Sequence, residues 1–127
     1  MMFLNSKAPY DVYKEVIRDA YFIDKSLLLD ELILAFGKMN RYYCITRPRR
    51  FGKTVMANMV GAFFGKTDRK DRIFDNLAIS KSEAYEAHLN KHNVIYIDFS
   101  KAPKGCRSYA QYIERIESGI IDDLMIL

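Results

Sequence analysis

No uncharged apolar run in the 127 residues approaches the roughly eighteen that a membrane helix needs, because Arg, Lys or Asp interrupts every hydrophobic stretch. A spanning helix is excluded on that ground. The opening segment, Met1 to Tyr10, carries Lys7 and Pro9 but no apolar core ahead of a small-residue cleavage site, so no secretory signal is visible and a cytoplasmic location is expected. Cysteine is scarce: Cys44 and Cys106 are far apart and show no Cys-x-x-Cys spacing. Two reduced thiols are expected rather than a disulfide or a zinc pair. Repeats and low-complexity tracts are missing as well. The most informative absence is local. From Arg41 to Lys53 there is no carboxylate, while Arg41, Arg47, Arg49, Arg50 and Lys53 all fall there. Whatever the fold, that stretch carries a positive field, and a polyanion is its natural guest.

What is present suits one compact domain. Half of the residues are hydrophobic and 28% are charged, close to ordinary globular composition, and a chain of this length buries about two thirds of its unfolded surface. The net charge of +4, from 20 Lys and Arg against 16 Asp and Glu, is too small by itself to demand a nucleic-acid partner.

Along the chain, Val12, Tyr13, Val16 and Ile17 recur at helical spacing within Tyr10 to Arg18, and a Tyr-Phe-Ile run follows at 21–23. Ser26 stands as an N-cap before Leu27, Leu28, Leu29, Leu32, Ile33 and Phe36, with Gly37 where that helix stops. Tyr42 to Ile45 is a short apolar, aromatic run that predicts a buried strand. After the basic loop, Val55, Met56, Met59, Val60, Phe63 and Phe64 predict a helix from Lys53 to about Phe64. Ile73, Phe74, Leu77 and Ile79 suggest a small packed element, and 82–92 a polar helix capped by Ser82. Val94 to Phe99 gives the strongest strand signal, and Tyr109, Tyr112, Ile113, Ile116, Ile120 and Leu124 mark the apolar face of a last helix. Strands each followed by a helix predict an α/β fold on parallel strands. Two or three strands are few beside the five or so usual in open nucleotide-binding sheets.

The segment Arg47 to Thr54, Arg-Pro-Arg-Arg-Phe-Gly-Lys-Thr, ends as a phosphate-binding P-loop ends. Such a loop runs Gly, four residues, then Gly-Lys-Ser/Thr, between a strand and a helix. Its backbone N–H groups close around phosphate oxygens, its lysine charges the outer phosphates, and its hydroxyl ligates magnesium. The helix N-terminus adds partial positive charge. Gly52, Lys53 and Thr54 fill the last three places, and Arg47 stands where the first glycine is usual. Pro48 fixes its own φ and biases Arg47 toward extended geometry, while Arg49 and Arg50 can reach phosphates or remain solvated.

Thr46 to Thr54 resembles the phosphate loop of the AAA-ATPase-like family of prokaryotic proteins, whose members commonly carry a PD-(D/E)XK nuclease-like domain further along. Tyr21 to Lys25 with the Leu-rich stretch after it resembles that family's N-terminal motif, and Val94 to Ser100 its next core strand. The likeness runs from about Tyr10 to the end, and it makes the arginine at the first glycine position a family trait.

The resemblance implies that residues 1–127 form the N-terminal part of a P-loop domain, an incomplete three-layer fold with a small parallel sheet flanked by helices. It implies ATP and Mg2+ as cofactors: Arg47, Pro48, Arg49, Arg50, Phe51, Gly52, Lys53 and Thr54 hold the nucleotide, Thr54 the metal, and Lys53 is the catalytic cation. Any nucleic acid would be met through a domain not included in these residues. The family's metal-holding Asp-Glu strand is expected downstream of Leu127, which counts against Asp98 in that role. Asp24 and Lys25 are either contacts to base or ribose, or a surface ion pair. Asp68-Arg69-Lys70 is a chance nuclease-like triplet, and His88 and His92, four apart, lack further ligands for a metal. The competing expectation is a basic nucleic-acid-binding fragment in which Arg47, Arg49, Arg50 and Lys53 contact phosphodiesters without nucleotide turnover.

Overall fold

The computed structural model describes residues 3–39, 41–45, 53–68, 71–99 and 105–126. Its elements are helical: α1 (Ala8–Val16), α2 (Leu28–Leu34), α3 (Lys53–Phe64), a 3-10 turn (Ala78–Lys81), α4 (Tyr85–His88) and α5 (Tyr109–Ile126).

Helix α1 starts with Pro9 in its first turn, where a missing N–H costs nothing and the fixed φ suits the helix. Asp11 near its start and Lys14 near its end complement the peptide dipoles. Tyr10 and Tyr13, three apart, turn one face inward. That face meets α3, whose Met59, Ala62 and Phe63 are buried. The two helices run antiparallel. Pro9, at the start of α1, lies against Gly61 near the end of α3, while Val16 at the end of α1 and Val55 near the start of α3 border one hollow. A β-carbon on Gly61 would stand 3.0 Å from the Pro9 Cβ, so the absence of a side chain sets how near the helices approach.

The core gathers where α3 meets α1, α2, the 3-10 turn and α4. Phe63, fully buried, has ring centroids 4.9 Å from Phe64, 5.3 Å from Phe74 and 6.0 Å from Tyr85, and Tyr13 stacks on Phe74 at 5.4 Å. Offset and edge-on pairs at these distances add about 0.5–1.5 kcal/mol each beyond area burial.

Ser26 is not the N-cap of α2 as expected. Leu27 holds that position, and the buried Ser26 hydroxyl instead accepts the Ile79 N–H at 3.0 Å, 53 residues away. Asp24 accepts the neighbouring Ala78 N–H at 2.8 Å. Together they pin the approach to α2 onto the 3-10 turn. Helix α2 stops before the expected Gly37, at Leu34 with Ala35 as its C-cap, and Gly37 follows in the turn at φ +75°, where other residues are strained.

Helix α3 ends under a polar lid: the Asn90 side-chain amide donates to the carbonyls of Ala62, Phe63 and Gly65 at 2.9, 3.2 and 2.8 Å. Helix α5 starts where the Ser108 hydroxyl accepts the Gln111 N–H at 3.3 Å and Gln111 accepts the Arg107 N–H at 2.8 Å. Near its other end the buried Asp123 accepts the N–H groups of Phe3 and Leu4, at 2.7 and 3.0 Å.

The expected α/β three-layer fold with a parallel sheet is overturned. Among the described residues there are five α-helices and no strand. A strand exists only through a partner. Tyr42 to Ile45 forms no ladder with any of the described residues, and Tyr42 is 83% exposed. The strongest strand candidate, Val94 to Phe99, pairs only through one antiparallel bridge, Ile95 with Leu4. Around it the Asn5 N–H donates to Val94 O at 2.7 Å and the Tyr96 N–H to Phe3 O at 3.0 Å. A second isolated bridge, parallel, joins Gly65 to His92. Of the two expected strands only Val94 to Phe99 makes a bridge among the described residues, and one bridge does not build a sheet. The expected helix over 82–92 also shrinks to Tyr85–His88, with Ala84 as its N-cap; the Ser82 hydroxyl accepts the Ala84 N–H and its carbonyl the Tyr85 N–H, both at 3.2 Å.

Candidate functional site

The site begins at the N-terminus of α3. Lys53 is its first residue and Thr54, exposed, its second, as the loop motif requires. The first turn contains no carboxylate, so no acidic side chain of that turn competes for the N–H groups of the helix start. Arg47, Pro48, Arg49, Arg50, Phe51 and Gly52 lie outside the described residues, and Lys53 is described only by its place in the helix.

Beside the first two turns of α3 lies an open hollow of about 370 Å³. Val55, Met56 and Met59 form one wall, Tyr13 and Val16 of α1 the other, and the segment from Asp19 to Lys25 closes the rim. The volume falls in the range of about 300–1,000 Å³ common to small-molecule sites. Burial, and next the nearby Asp24 carboxylate, push the Tyr13 phenol well above its ordinary range, so it stays a neutral hydroxyl.

The structure separates the two expected contacts in the Asp24-Lys25 motif. Asp24 is a structural group: its carboxylate accepts the Ser26 N–H at 2.9 Å as well as that of Ala78. Partial burial raises its pKa, but the hydrogen bonds from Ser26 and Ala78 outweigh burial and hold the carboxyl below its usual value. Lys25 lies on the hollow's rim. Among the described residues Asp24 and Lys25 form no ion pair with each other.

A smaller hollow, about 140 Å³, lies toward the other end of α3, between Tyr10, Gly61, Gly65 and Lys66. Asp68 borders it, whereas Arg69 and Lys70 lie outside the described residues. Next to it Asp71 accepts from Lys14 at 2.7 Å and from the Tyr10 hydroxyl, and these bonds draw its carboxyl below the ordinary value. That network ties α1 down and is structural.

His88 and His92 do meet, but as a pair rather than a ligand set. Nδ1 of His88 and Nε2 of His92 are 2.9 Å apart, with the rings stacked at 5.1 Å and Phe36 edge-on to both. No group of three or more His, Cys, Asp or Glu among the described residues is placed to hold a metal. Asp98 sits on the segment after the Ile95 bridge, where its main-chain oxygen accepts the Tyr112 hydroxyl at 3.3 Å. Cys44 and Cys106 are free thiols, as expected.

The hollow itself escaped sequence reading. Val16, Met56 and Met59 sit at helical spacing, which signals a core face and does not distinguish a packed wall from an open one. Its one visible sign was the Tyr21 to Lys25 motif.

No helix among the described residues is long and apolar enough to cross a membrane. No curated protein and no solved structure matches the chain. A family model does match, across residues 10–124, and its description is a predicted AAA-ATPase. With nearly the whole chain covered, the chain belongs to this AAA-ATPase-like family.

Proposed function

We propose that this chain binds ATP with magnesium and forms the N-terminal part of an ATP-binding domain. Arg47, Arg49, Arg50, Phe51 and Gly52 bring main-chain N–H groups around the phosphates, the three arginines add positive charge, and Pro48, which has no N–H, contributes only its fixed φ. Lys53 places its ammonium on the outer phosphates, where charge builds as the terminal bond breaks. Thr54 offers its hydroxyl to magnesium, whose other positions are filled by water and phosphate oxygens. Bound there, the ion neutralises phosphate charge.

The observation that carries this reading is the start of α3 at Lys53, with Thr54 next and no carboxylate in the first turn. Carboxylates usually favour such a position, so their absence leaves the helix start suited to an external anion. Membership of the AAA-ATPase-like family supports nucleotide use. Turnover also requires a carboxylate that holds the metal from another element and a group that orients water. No residue from Arg47 to Thr54 is of that kind.

The test is calorimetric titration of ATP and Mg2+ into the wild type and Lys53→Ala. Loss of a charge-assisted contact of about 1.5–3 kcal/mol should weaken binding about 10- to 100-fold. Equal affinity in the two proteins would remove the proposal.

A further inference from the structure

The stripe of α3 that carries Thr54 continues at helical spacing through Asn58 and Gly61 to Gly65, just past the helix. Its two ends differ. Toward the finish it is covered: a β-carbon on Gly61 would stand 3.0 Å from Pro9 and 3.4 Å from the Tyr96 ring, and one on Gly65 would stand 4.0 Å from Val94. Toward the start it is open, with Thr54 exposed. Asn58 stands where the covered part meets the open part, and only 6% of it is accessible.

Three polar side chains are buried among the described residues: Ser26, Asn58 and Asp123. Ser26 and Asp123 both accept main-chain N–H groups. The Asn58 amide, by contrast, has no hydrogen-bond partner among the described residues. No side-chain polar atom is fully sealed without a partner there, so the amide keeps a narrow opening to solvent. Burying an amide without its bonds costs stability, and asparagine is a weak helix former as well. Folding therefore does not account for this residue. Side chains on a helix lean toward its N-terminus and cover the turn before their own. Asn58 accordingly leans over the turn that Lys53 and Thr54 open, and residues four apart on a helix have β-carbons about 5–6 Å from each other, within reach of a side-chain hydrogen bond.

We propose that Asn58 is a positioning residue of the phosphate site: its amide oxygen accepts the Thr54 hydroxyl proton and so turns a lone pair of that hydroxyl toward magnesium. This rests on the phosphate reading above and adds the group that orients its metal ligand. A hydroxyl whose oxygen faces a cation still has a proton to donate, and an acceptor fixed on the same helix face sets its direction. Asn58 itself touches neither nucleotide nor metal.

Titration calorimetry of ATP, once with Mg2+ and once with EDTA in its place, tests this on the wild type, Asn58→Leu, Asn58→Ala, Thr54→Ala and the Thr54→Ala/Asn58→Leu double variant. Each Asn58 variant should weaken binding of ATP with Mg2+ about two- to ten-fold, the share of one neutral hydrogen bond, and leave metal-free ATP unchanged. With Thr54 already replaced, Asn58→Leu should cost nothing further, because the two side chains act as one unit. Leucine fills the space without an amide and alanine avoids crowding, so at least one of these two variants should melt no lower than the wild type. Unchanged affinity for ATP with Mg2+ in both variants, equal loss with and without the metal, or a full further loss in the Thr54→Ala background overturns the proposal while the phosphate reading stands. Unfolding of both Asn58 variants makes the residue a core group and overturns it too. Failure of the wild type to bind ATP, or unchanged affinity in Lys53→Ala, instead removes the phosphate reading, and this one with it.

Discussion

At the scale of single residues, polar side chains do work that helix periodicity conceals. Asp24 and Ser26 capture the N–H groups of a turn more than fifty residues away, and Asp123 holds the opening segment of the chain. The histidine pair has a pH consequence. His92 has its pKa lowered, first by burial and then by the charges of His88 and Lys66. It therefore resists a proton in the folded state that it accepts readily in the unfolded one. Stability is then greatest above the unfolded value near 6.5 and falls as pH drops through it toward the lower folded value. With both imidazoles protonated, two donors would face each other across 2.9 Å. Urea midpoints measured at pH 7.5 and pH 5.5 should fall for the wild type and fall less for His92→Gln. Parallel declines would show that His92 does not govern this window. The carboxyls of Asp24 and Asp71, and that of Asp75, which accepts from Arg72 at 2.9 Å and from the Tyr85 hydroxyl at 2.6 Å, are all held low, so their contribution is lost only as pH falls below their ordinary value toward the lower folded one.

At the scale of elements, α3 is the axis of the protein, and both of its ends matter. Its start bears Lys53 and Thr54. At its finish the two N–H groups of the Asn90 amide are shared among three carbonyls, and the Asn90 main-chain N–H also donates to Phe63 at 2.7 Å. Asn90 holds φ at +55°, a left-handed conformation that asparagine tolerates better than most residues. Two substitutions separate these roles. Asn90→Ala should lower unfolding free energy by about 1–3 kcal/mol, through lost bonds to half-buried carbonyls and through backbone strain. Asn90→Gly relieves the strain and keeps only the first loss, so it should fall between Ala and wild type. A glycine variant as stable as the wild type would mean that the carbonyls do not depend on the amide. Helix α3 itself was legible from Val55, Met56, Met59, Val60, Phe63 and Phe64, because helical spacing depends only on neighbours in sequence. Its cap was not, because Asn90 lies 25 residues beyond Gly65.

At the scale of the whole molecule, helices around an aromatic core replace the sheet that apolar runs suggested. Far-ultraviolet circular dichroism should therefore show a helix-dominated spectrum with double minima near 208 and 222 nm, because the regular elements among the described residues are all helical. A spectrum dominated by a single sheet-like minimum would contradict this architecture. The sequence by itself determined the helix faces, the carboxylate-free basic stretch and the Gly-Lys-Thr triplet at a helix start, since each depends on residues adjacent along the chain. It also carried the three motifs of the AAA-ATPase-like family. Only the tertiary structure decided that Val94 to Phe99 meets Leu4 in one bridge rather than a sheet. Only it divided Asp24 from Lys25 and opened a hollow between α1 and α3. Pairing, capping and cavities are relations between distant segments, and apolar alternation or helical spacing states what a segment can bury without naming what lies opposite.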